Sequence, residues 1–219
     1  MNKQEETFAT WNKVAKLYEE KFMHLDLYND SYDLFCAALP NEKTSVLDVA
    51  CGPGNISKYL RHKLLACEMD AIDVSPNMIA LARSNNPEAN CMLMDCREIN
   101  KLQQKYDGII NGFGVPYLSK EECAVFIIDA ATLLNSKGIL YISFVEGNYE
   151  DSGFKAGNTG DRTYFYYHNL KELLNNLEDA NFDIITTQKK YYENSKVITE
   201  MHSIILARKT FEYSIFIIN

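Results

Sequence analysis

The chain has 219 residues, of which 47% are hydrophobic and 24% charged, as is usual for a globular protein with a full core. Its formal net charge of −8 repels phosphate backbones, which argues against nucleic acid as a partner. No apolar run approaches the ~20 residues that cross a bilayer, and the amino terminus lacks the apolar centre of a signal peptide.

The six cysteines show no Cys-x-x-Cys spacing, which argues against a zinc site and against a thioredoxin-like redox pair. Free cysteines are among the residues most often buried in proteins. We therefore expect a cytoplasmic protein with reduced thiols, no metal site and no membrane partner.

The first 44 residues are predicted to form two helices. Apolar residues recur every three or four positions from Phe8 to Phe22, which indicates one helical face. A second helix is expected from Asp30 to Leu39, because Pro40 cannot continue it.

Residues 45–146 alternate between strands and helices. The apolar runs SVLDVA, LACEMDAIDV, CMLMD, YDGIING and GILYISFVE predict five strands. The intervening helices start with recognisable signals, such as Ser75 before Pro76 and the capping box of Ser119 and Glu122. This alternation predicts an α/β fold: a doubly wound, mostly parallel sheet with helices on both faces.

Residues 147–209 differ in character. A Gly- and Asn-rich segment, Gly147–Arg162, is predicted to be a long loop that closes over a site, as loops of this length often do. A short strand and a helix follow, and then FDIITTQKKYYE and VITEMHSIILARK predict an antiparallel hairpin. Residues 210–219 receive no assignment, and we expect one domain over 1–219.

Polar or small residues follow the ends of the first four predicted strands, where ligands bind in open parallel sheets. Gly52 and Gly54 permit a tight turn before a helix amino terminus. Asp73 follows the second strand, and a carboxylate there accepts from a ribose diol or caps the next helix. Asp95 follows the third strand and suits either an adenine amino group or a turn. Residues Asn111–Gly114 follow the fourth strand, where a reacting group would lie.

The glycine turn alone is compatible with a triphosphate, a dinucleotide or a sulfonium nucleoside. A triphosphate loop requires Gly-Lys-Ser/Thr, which is absent here. A dinucleotide turn requires a third glycine, and Ser57 occupies that position. Asp73 favours a ribose without a 2′-phosphate.

These motifs, together with LLNSKGILYISF, resemble in order and spacing those of class I S-adenosylmethionine-dependent methyltransferases, over residues 8–209. The resemblance implies a Rossmann-like, seven-stranded sheet whose last strand is antiparallel. It further implies cap helices at 1–44, a cofactor-binding core at 45–146, and a substrate-side loop and hairpin at 147–209. The late segment is similar to the small-molecule branch of the family.

The resemblance also implies the cofactor-binding residues. Asp48, Ala50 and the Gly52–Gly54 loop would hold the methionine end, and Asp73 the ribose. Ala50 stands where the family more often has glycine. The remaining residues expected around the cofactor are Tyr18 as a cover, Met78 on the adenine, Asp95 and Cys96 at its edge, and Asn111 and Phe113 on the methyl-transfer side.

The expected function is methyl transfer from S-adenosylmethionine to a small-molecule acceptor by in-line displacement. Candidates for a general base are Glu146, His168 and Tyr117. The alternatives are a nicotinamide-dependent reductase and a non-catalytic module that binds an adenosyl cofactor. Family members that methylate amino groups of nucleic acid or glutamine carry Asn-Pro-Pro-Tyr after the fourth strand, where this chain has NGFG. We expect a monomer or a homodimer.

Overall fold

The computed structural model describes residues 2–40, 43–157, 159–193 and 199–210. Two helices lead the chain, α1 (Lys3–Phe22) and α2 (Asn29–Ala38). The alternating region contains β1 (Ser45–Val49), α3 (Asn55–Lys63), β2 (Glu68–Asp73), α4 (Pro76–Asn85), β3 (Asn90–Leu93), β4 (Tyr106–Gly112), α5 (Lys120–Leu133) and β5 (Leu134–Val145). The rest contains β6 (Gly153–Ala156), β7 (Arg162–Phe165), α6 (Leu170–Asp179), β8 (Phe182–Glu193) and β9 (Thr199–Lys209).

A seven-stranded sheet has the order β3-β2-β1-β4-β5-β9-β8. The first five strands of this order are parallel, and β9 is antiparallel to both β5 and β8. The predicted Rossmann-like sheet with an antiparallel last strand is thus confirmed. The expected turn of the β8–β9 hairpin falls in 194–198, outside the described residues.

Successive residues of the central strands contribute to opposite faces of the sheet. Leu47 and Ile109 join a cluster with α5 and α6, whereas Val46 and Ile110 join one with α2 and α3. A smaller cluster lies under α4. Because a strand alternates its side chains with period two, strands covered on both faces are apolar throughout.

The helix starts follow the predicted signals. Ser75 Oγ accepts a hydrogen bond from the N–H of Met78, with Pro76 in the first turn. Ser119 and Glu122 form the expected capping box. The first helix begins earlier than its apolar face indicates, because Asn2 and Glu5 form another capping box.

The loop predicted over Gly147–Arg162 is wrong in part. Residues 153–156 and 162–165 pair as the antiparallel strands β6 and β7. This small hairpin packs against α1, where Thr7 Oγ1 accepts from the N–H of Tyr164 at 2.8 Å. Packing against α1 stabilises these two strands, whose polar sequence does not by itself favour strand formation.

Two other boundaries differ from prediction. Strand β3 ends at Leu93, and Asp95 instead caps the 3₁₀ turn Cys96–Lys101. Strand β5 begins directly after α5, at Leu134 rather than near Gly138. Among the described residues, no helix is long and apolar enough to cross a membrane. Of the unassigned segment 210–219, all but Thr210 lies outside the described residues.

Candidate functional site

The loop after β1 has an unusual backbone. Ala50, Gly52 and Gly54 all have positive φ, at 56°, 54° and 81°. The left-handed conformation disfavours side chains, which explains why glycine suits position 50 better than alanine. At Gly54 a Cβ atom would lie 2.3 Å from Asn86 Nδ2. The loop therefore turns tightly and leads into α3.

Hydrogen bonds between Asp48 and Ser57 hold the two ends of this loop together. Asp48 Oδ2 accepts from the backbone N–H of Ser57 at 3.1 Å and from its hydroxyl at 2.6 Å. Ser57, the residue in place of a third glycine, thus connects α3 to β1. The Asp48 carboxylate is fully buried, and burial raises its pKa to about 7. Its other oxygen, Oδ1, is buried and has no hydrogen-bond partner among the described residues.

Asp73 connects the two loops that follow β1 and β2. Its Oδ2 accepts from the N–H of Gly52 and its Oδ1 from the N–H of Ser75, both at 2.9 Å. Burial raises the pKa of this carboxyl, against the effect of the N–H donors. The residue is 9% exposed and lines a cavity.

That cavity, of about 100 Å³, lies beyond the ends of β2 and β3. Its lining includes seven predicted cofactor residues beside Asp73: Tyr18, Ala50, Gly52, Met78, Asp95, Cys96 and Phe113. Burial raises the pKa of the Cys96 thiol, so this group stays neutral. We call this space the small cavity.

Arg97 holds the far wall of the small cavity. It pairs with Asp95 Oδ1 at 3.0 Å through Nη1 and with Glu122 Oε1 at 2.7 Å through Nε. Its Nη2 also donates to the carbonyl of Tyr117 at 2.6 Å. Arg97 therefore fixes the orientation of Asp95 relative to the cavity.

A larger cavity, of about 420 Å³, adjoins the small one. Much of its wall is aromatic: Trp11, Tyr18, Phe22, Tyr28, Tyr32, Phe113, Tyr117, Phe165, Tyr192 and His202. The residues common to both cavities are Trp11, Tyr18, Ala50, Gly52, Gly112, Phe113 and Tyr117. We call the large space the acceptor cavity and these shared residues the junction.

Tyr18 and Phe113 form the junction from opposite sides. Tyr18 projects from α1, and burial raises its pKa to about 12. Phe113 follows β4 with a φ of 64°, a conformation held by the bond from its N–H to Ser143 Oγ at 3.1 Å. Neither Asn111 nor Asp48 lines either cavity. Asn111 Oδ1 instead accepts from the N–H groups of Gly114 and Val115, which shapes the turn beneath Phe113.

The three candidates for a general base lie in different surroundings. His168 is buried, and its Nε2 lies 3.0 Å from the carbonyl oxygen of Leu118 and 3.2 Å from that of Val115. Glu146 Oε2 accepts from Ser203 Oγ at 2.6 Å and pairs with Lys189. Neither residue lines the small cavity or the acceptor cavity. Tyr117 lines both cavities, and burial raises its pKa.

Several residues at the cavities were absent from the sequence-based site. Trp11 and Phe8 belong to the apolar face of α1, so the pattern located them without indicating what they face. Tyr28 and the β9 residues Glu200 and His202 reach the acceptor cavity from distant parts of the chain. No local motif connects these segments.

Comparison with known proteins agrees with this geometry. A family model described as a methyltransferase domain matches residues 46–138. A malonyl-acyl-carrier-protein O-methyltransferase of Enterobacter lignolyticus is 30% identical over 118 residues, covering 53% of this chain and 45% of that protein. A release factor glutamine methyltransferase of Fusobacterium nucleatum is 30% identical over 173 residues, covering 72% and 47%. The chain thus spans about half the length of these two curated relatives.

Solved structures share the fold at low sequence identity. The magnesium protoporphyrin IX methyltransferase of Synechocystis PCC 6803, with bound S-adenosylmethionine, has a TM-score of 0.68 and 18% identity, covering 96% of this chain and 98% of that chain. A Burkholderia thailandensis 1,6-didemethyltoxoflavin-N1-methyltransferase has a TM-score of 0.70 and 17% identity, covering 94% and 88%.

Proposed function

We propose that the chain is a class I S-adenosylmethionine-dependent methyltransferase that transfers a methyl group to a small-molecule acceptor, and the methyltransferase-domain model matched by residues 46–138 supports this proposal. The observation that carries this proposal is the junction. A cavity lined by Asp73 and Asp95 meets a larger aromatic cavity at Tyr18, Gly52 and Phe113. One ligand bound on each side would meet end to end.

The chemistry of the small cavity fits an adenosyl group. Asp73 offers carboxylate oxygens that accept from a ribose diol, and these would repel a 2′-phosphate. Met78 and Met94 offer polarizable apolar surface for an adenine, with Asp95 beside them. A ligand can approach the backbone of Gly52, which has no side chain. Even a Cβ atom there would lie 3.6 Å from its nearest neighbour, Tyr18 Cε1. We propose that these residues bind the cofactor together with Tyr18, Ala50, Cys96 and Phe113. Asp48, Gly54 and Asn111 line neither cavity, and we propose that they act by shaping the loops around the cofactor.

When bound, S-adenosylmethionine supplies a methyl group on a positively charged sulfur, ready for in-line displacement. The protein's contribution is to align the acceptor with that group, and alignment is worth up to ~7–11 kcal/mol in well-oriented systems. Helix α1 covers the junction with Trp11 and Tyr18 and so limits the access of water.

Three observations support a small molecule as the acceptor. The acceptor cavity has about 420 Å³, within the range of small-molecule sites. Residues of α1 and of the β6–β7 hairpin line this cavity and cover part of it. The turn after β4 is NGFG, and the net charge of −8 disfavours nucleic acid.

The role of Ser57 disfavours the reductase alternative. In dinucleotide-binding proteins, a third glycine at this position lets the helix pack closely on the preceding strand. Here Ser57 donates two hydrogen bonds to Asp48 instead. A non-catalytic module would bind the cofactor without turnover, so an activity assay distinguishes it.

The test is the release of S-adenosylhomocysteine by the purified chain with S-adenosylmethionine and three sets of acceptors. The sets are small phenols and carboxylic acids, duplex and single-stranded nucleic acid, and denatured protein. We expect release to require a small molecule. Release only with nucleic acid or protein would refute the small-molecule assignment, and release with none would favour the non-catalytic module.

We further propose that the chain works in a reducing, cytoplasmic setting. All six cysteines are free thiols, and four of them are buried. Burial raises the pKa of the Cys51 and Cys123 thiols, which keeps them unreactive.

A further inference from the structure

A chain of hydrogen-bonding groups lies along the wall of the acceptor cavity. We propose that the Tyr28 hydroxyl, supported by His202 and Glu200, removes the proton from a planar phenolic acceptor during methyl transfer. This inference rests on the proposed function and deepens it, since it names the acceptor class and the group that receives its proton.

The three side chains come from two elements. Tyr28 stands at the start of α2, and Glu200 and His202 lie two residues apart on one face of β9. The Tyr28 hydroxyl is 2.7 Å from His202 Nδ1, and His202 Nε2 is 3.4 Å from Glu200 Oε2. All three residues line the acceptor cavity, with Tyr28 and His202 only 6% and 5% exposed.

These contacts assign the tautomer of His202. A carboxylate only accepts hydrogen bonds, so Glu200 favours the proton on Nε2. Nδ1 is then the acceptor for the Tyr28 O–H group. The lone pairs of the Tyr28 oxygen remain for a ligand. This arrangement follows the logic of a nucleophile or base that is backed by an imidazole and a carboxylate.

The surroundings suit a flat aromatic ligand. The Tyr192 ring stacks on His202, with centroids 5.4 Å apart and planes at 18°. The Phe113 ring meets His202 edge-on at 4.9 Å and lies 5.2 Å from Tyr28. Because Phe113 also lines the small cavity, the chain of hydrogen bonds lies beside the junction.

Several charged and titratable groups of the described residues surround Tyr28 and His202, among them Lys21, whose ammonium lies 5.8 Å from the centroid of the Tyr192 ring. Tyr18, Tyr141 and Tyr192 act on Tyr28 electrostatically together with Glu200. On the neighbouring strand, Lys190 is opposite His202 in register, and its ammonium pairs with Asp30 at 2.6 Å. Burial raises the pKa of Tyr28, so its hydroxyl stays protonated. It can therefore accept a proton from a ligand only while it donates its own proton to His202.

The proton transfers balance as follows. The acceptor oxygen forms a bond to the methyl carbon while the carbon–sulfur bond breaks and its electron pair stays on sulfur. The phenolic proton of the acceptor moves to the Tyr28 oxygen. The proton of Tyr28 moves to His202 Nδ1, and Glu200 stabilises the resulting imidazolium. Release of this proton from His202 to solvent restores the initial protonation states of Tyr28 and His202.

A phenolic acceptor needs the proton transfer that Tyr28 and His202 provide, whereas a carboxylic acid does not. A carboxylate is already ionised at neutral pH, whereas a phenol with a pKa of about 10 arrives protonated. General base catalysis typically contributes ~10²–10⁴-fold to such a transfer. Glu146 and His168, the candidates outside the cavities, bond to the protein's own groups.

The first experiment uses p-nitrophenol as a probe and needs no cofactor, because its ionised form absorbs visible light. We expect the parent protein to bind it and to raise the ratio of ionised to neutral dye about tenfold over free dye. Tyr28→Phe and His202→Gln should bind the dye and abolish this increase. The matched controls Tyr191→Phe and His62→Gln, both at exposed positions, should behave as the parent does.

The second experiment measures methylation of the same phenol with S-adenosylmethionine. We expect kcat to fall at least about 100-fold in Tyr28→Phe and His202→Gln with little change in KM. Added imidazole should restore part of the activity of His202→Ala. Melting temperatures and S-adenosylhomocysteine affinity, measured for every variant, show whether the fold and the cofactor site are intact.

The outcomes separate the two proposals. Dye that stays neutral on the parent, or fails to bind, overturns this inference, and so does an equal shift in the parent and in Tyr28→Phe. Methylation of carboxylic acids alone, unchanged in both variants, also overturns it. Failure to bind S-adenosylmethionine with an intact dye response would overturn the proposed function and the methyl-transfer step, and it would leave Tyr28 as the group that takes a proton from a bound phenol.

Discussion

Asp73 is the residue on which the proposed cofactor site depends most, because it bonds to two loops and also lines the small cavity. We expect Asp73→Asn to weaken S-adenosylmethionine binding at least about tenfold, since an amide donor replaces one acceptor oxygen and the charge is lost. Calorimetric titration measures the affinity, and thermal unfolding measures the stability.

Asp107→Asn is the matched control for that substitution. Asp107 lies at the opposite end of the sheet, where it accepts from the N–H of Ser45 and from Asn135. The control should lose stability while keeping its affinity for the cofactor. Equal affinities of Asp73→Asn and the parent would refute the ribose assignment.

Substitutions at Gly54 and Gly160 distinguish two ways in which an added side chain at positive φ lowers stability, backbone strain and overlap with a neighbouring atom. Both have a φ of 81°, but a Cβ at Gly54 would lie 2.3 Å from Asn86 Nδ2, whereas one at Gly160 would meet nothing within 4 Å. Gly160→Ala should therefore cost only the backbone strain, ~1–2 kcal/mol. Gly54→Ala should cost clearly more, and urea unfolding compares them. Equal losses would mean that the contact with Asn86 is unimportant.

Asp48 should make the stability of the cofactor-free protein depend on pH. Its folded-state pKa of about 7 exceeds the ordinary 3.8, so the folded state binds a proton that the unfolded chain releases. For this group the free energy of unfolding is highest below about pH 4 and falls as the pH rises to about 7, by up to about 4 kcal/mol.

Urea unfolding of the parent and Asp48→Asn at several pH values tests this expectation. The variant has no proton to release at this position, so the stability of the parent relative to the variant should decline as the pH rises. A stability difference that is constant over this range would contradict the buried, protonated Asp48.

At the scale of elements, α1 works as a cover that is anchored to the rest of the molecule. Glu6 pairs with Arg162 and Lys13 with Asp161, so α1 is bound to the β6–β7 hairpin. On its other side, Asn12 Oδ1 accepts from the N–H of Asn77 at 2.9 Å. The helix therefore bridges the two sides of the junction.

Trp11 gives a direct measurement of this cover. It is the one tryptophan of the chain, and it lies in the junction with its ring edge-on to Tyr18 and Tyr117. We expect S-adenosylhomocysteine to change the tryptophan emission in a saturable manner. Trp11→Phe should remove the signal and retain the thermal shift. A saturating ligand that leaves the emission unchanged would place α1 away from the cofactor.

Sequence patterns predict elements well where the stabilising contacts are local. The helix starts at Ser75 and Ser119 depend on side chains within four residues, and both are present. The β6–β7 hairpin depends on α1, about 150 residues away, and the local sequence therefore predicts a loop there. Strand β5 extends back to Leu134 because it pairs with Tyr106 of β4, a contact that the local sequence does not reveal.

At the scale of the whole molecule, the topology follows from the alternation of strands and helices, because parallel strands need helical connections on both faces. The same rule predicts the site at the strand ends, and Asp73, Met78, Asp95 and Cys96 indeed line one cavity. The acceptor cavity is different, since it forms from α1, α2, β8 and β9 after folding. Tyr28 and His202, 174 residues apart, meet only there.

The thermal shift of the purified chain with S-adenosylmethionine, S-adenosylhomocysteine and the nicotinamide dinucleotides tests the central claim most directly. Ligand at ~100 times its dissociation constant stabilises a protein by ~2.7 kcal/mol, which such a measurement resolves. We predict that both adenosyl ligands raise the melting temperature and that the dinucleotides leave it unchanged. Stabilisation by the dinucleotides alone would contradict the account.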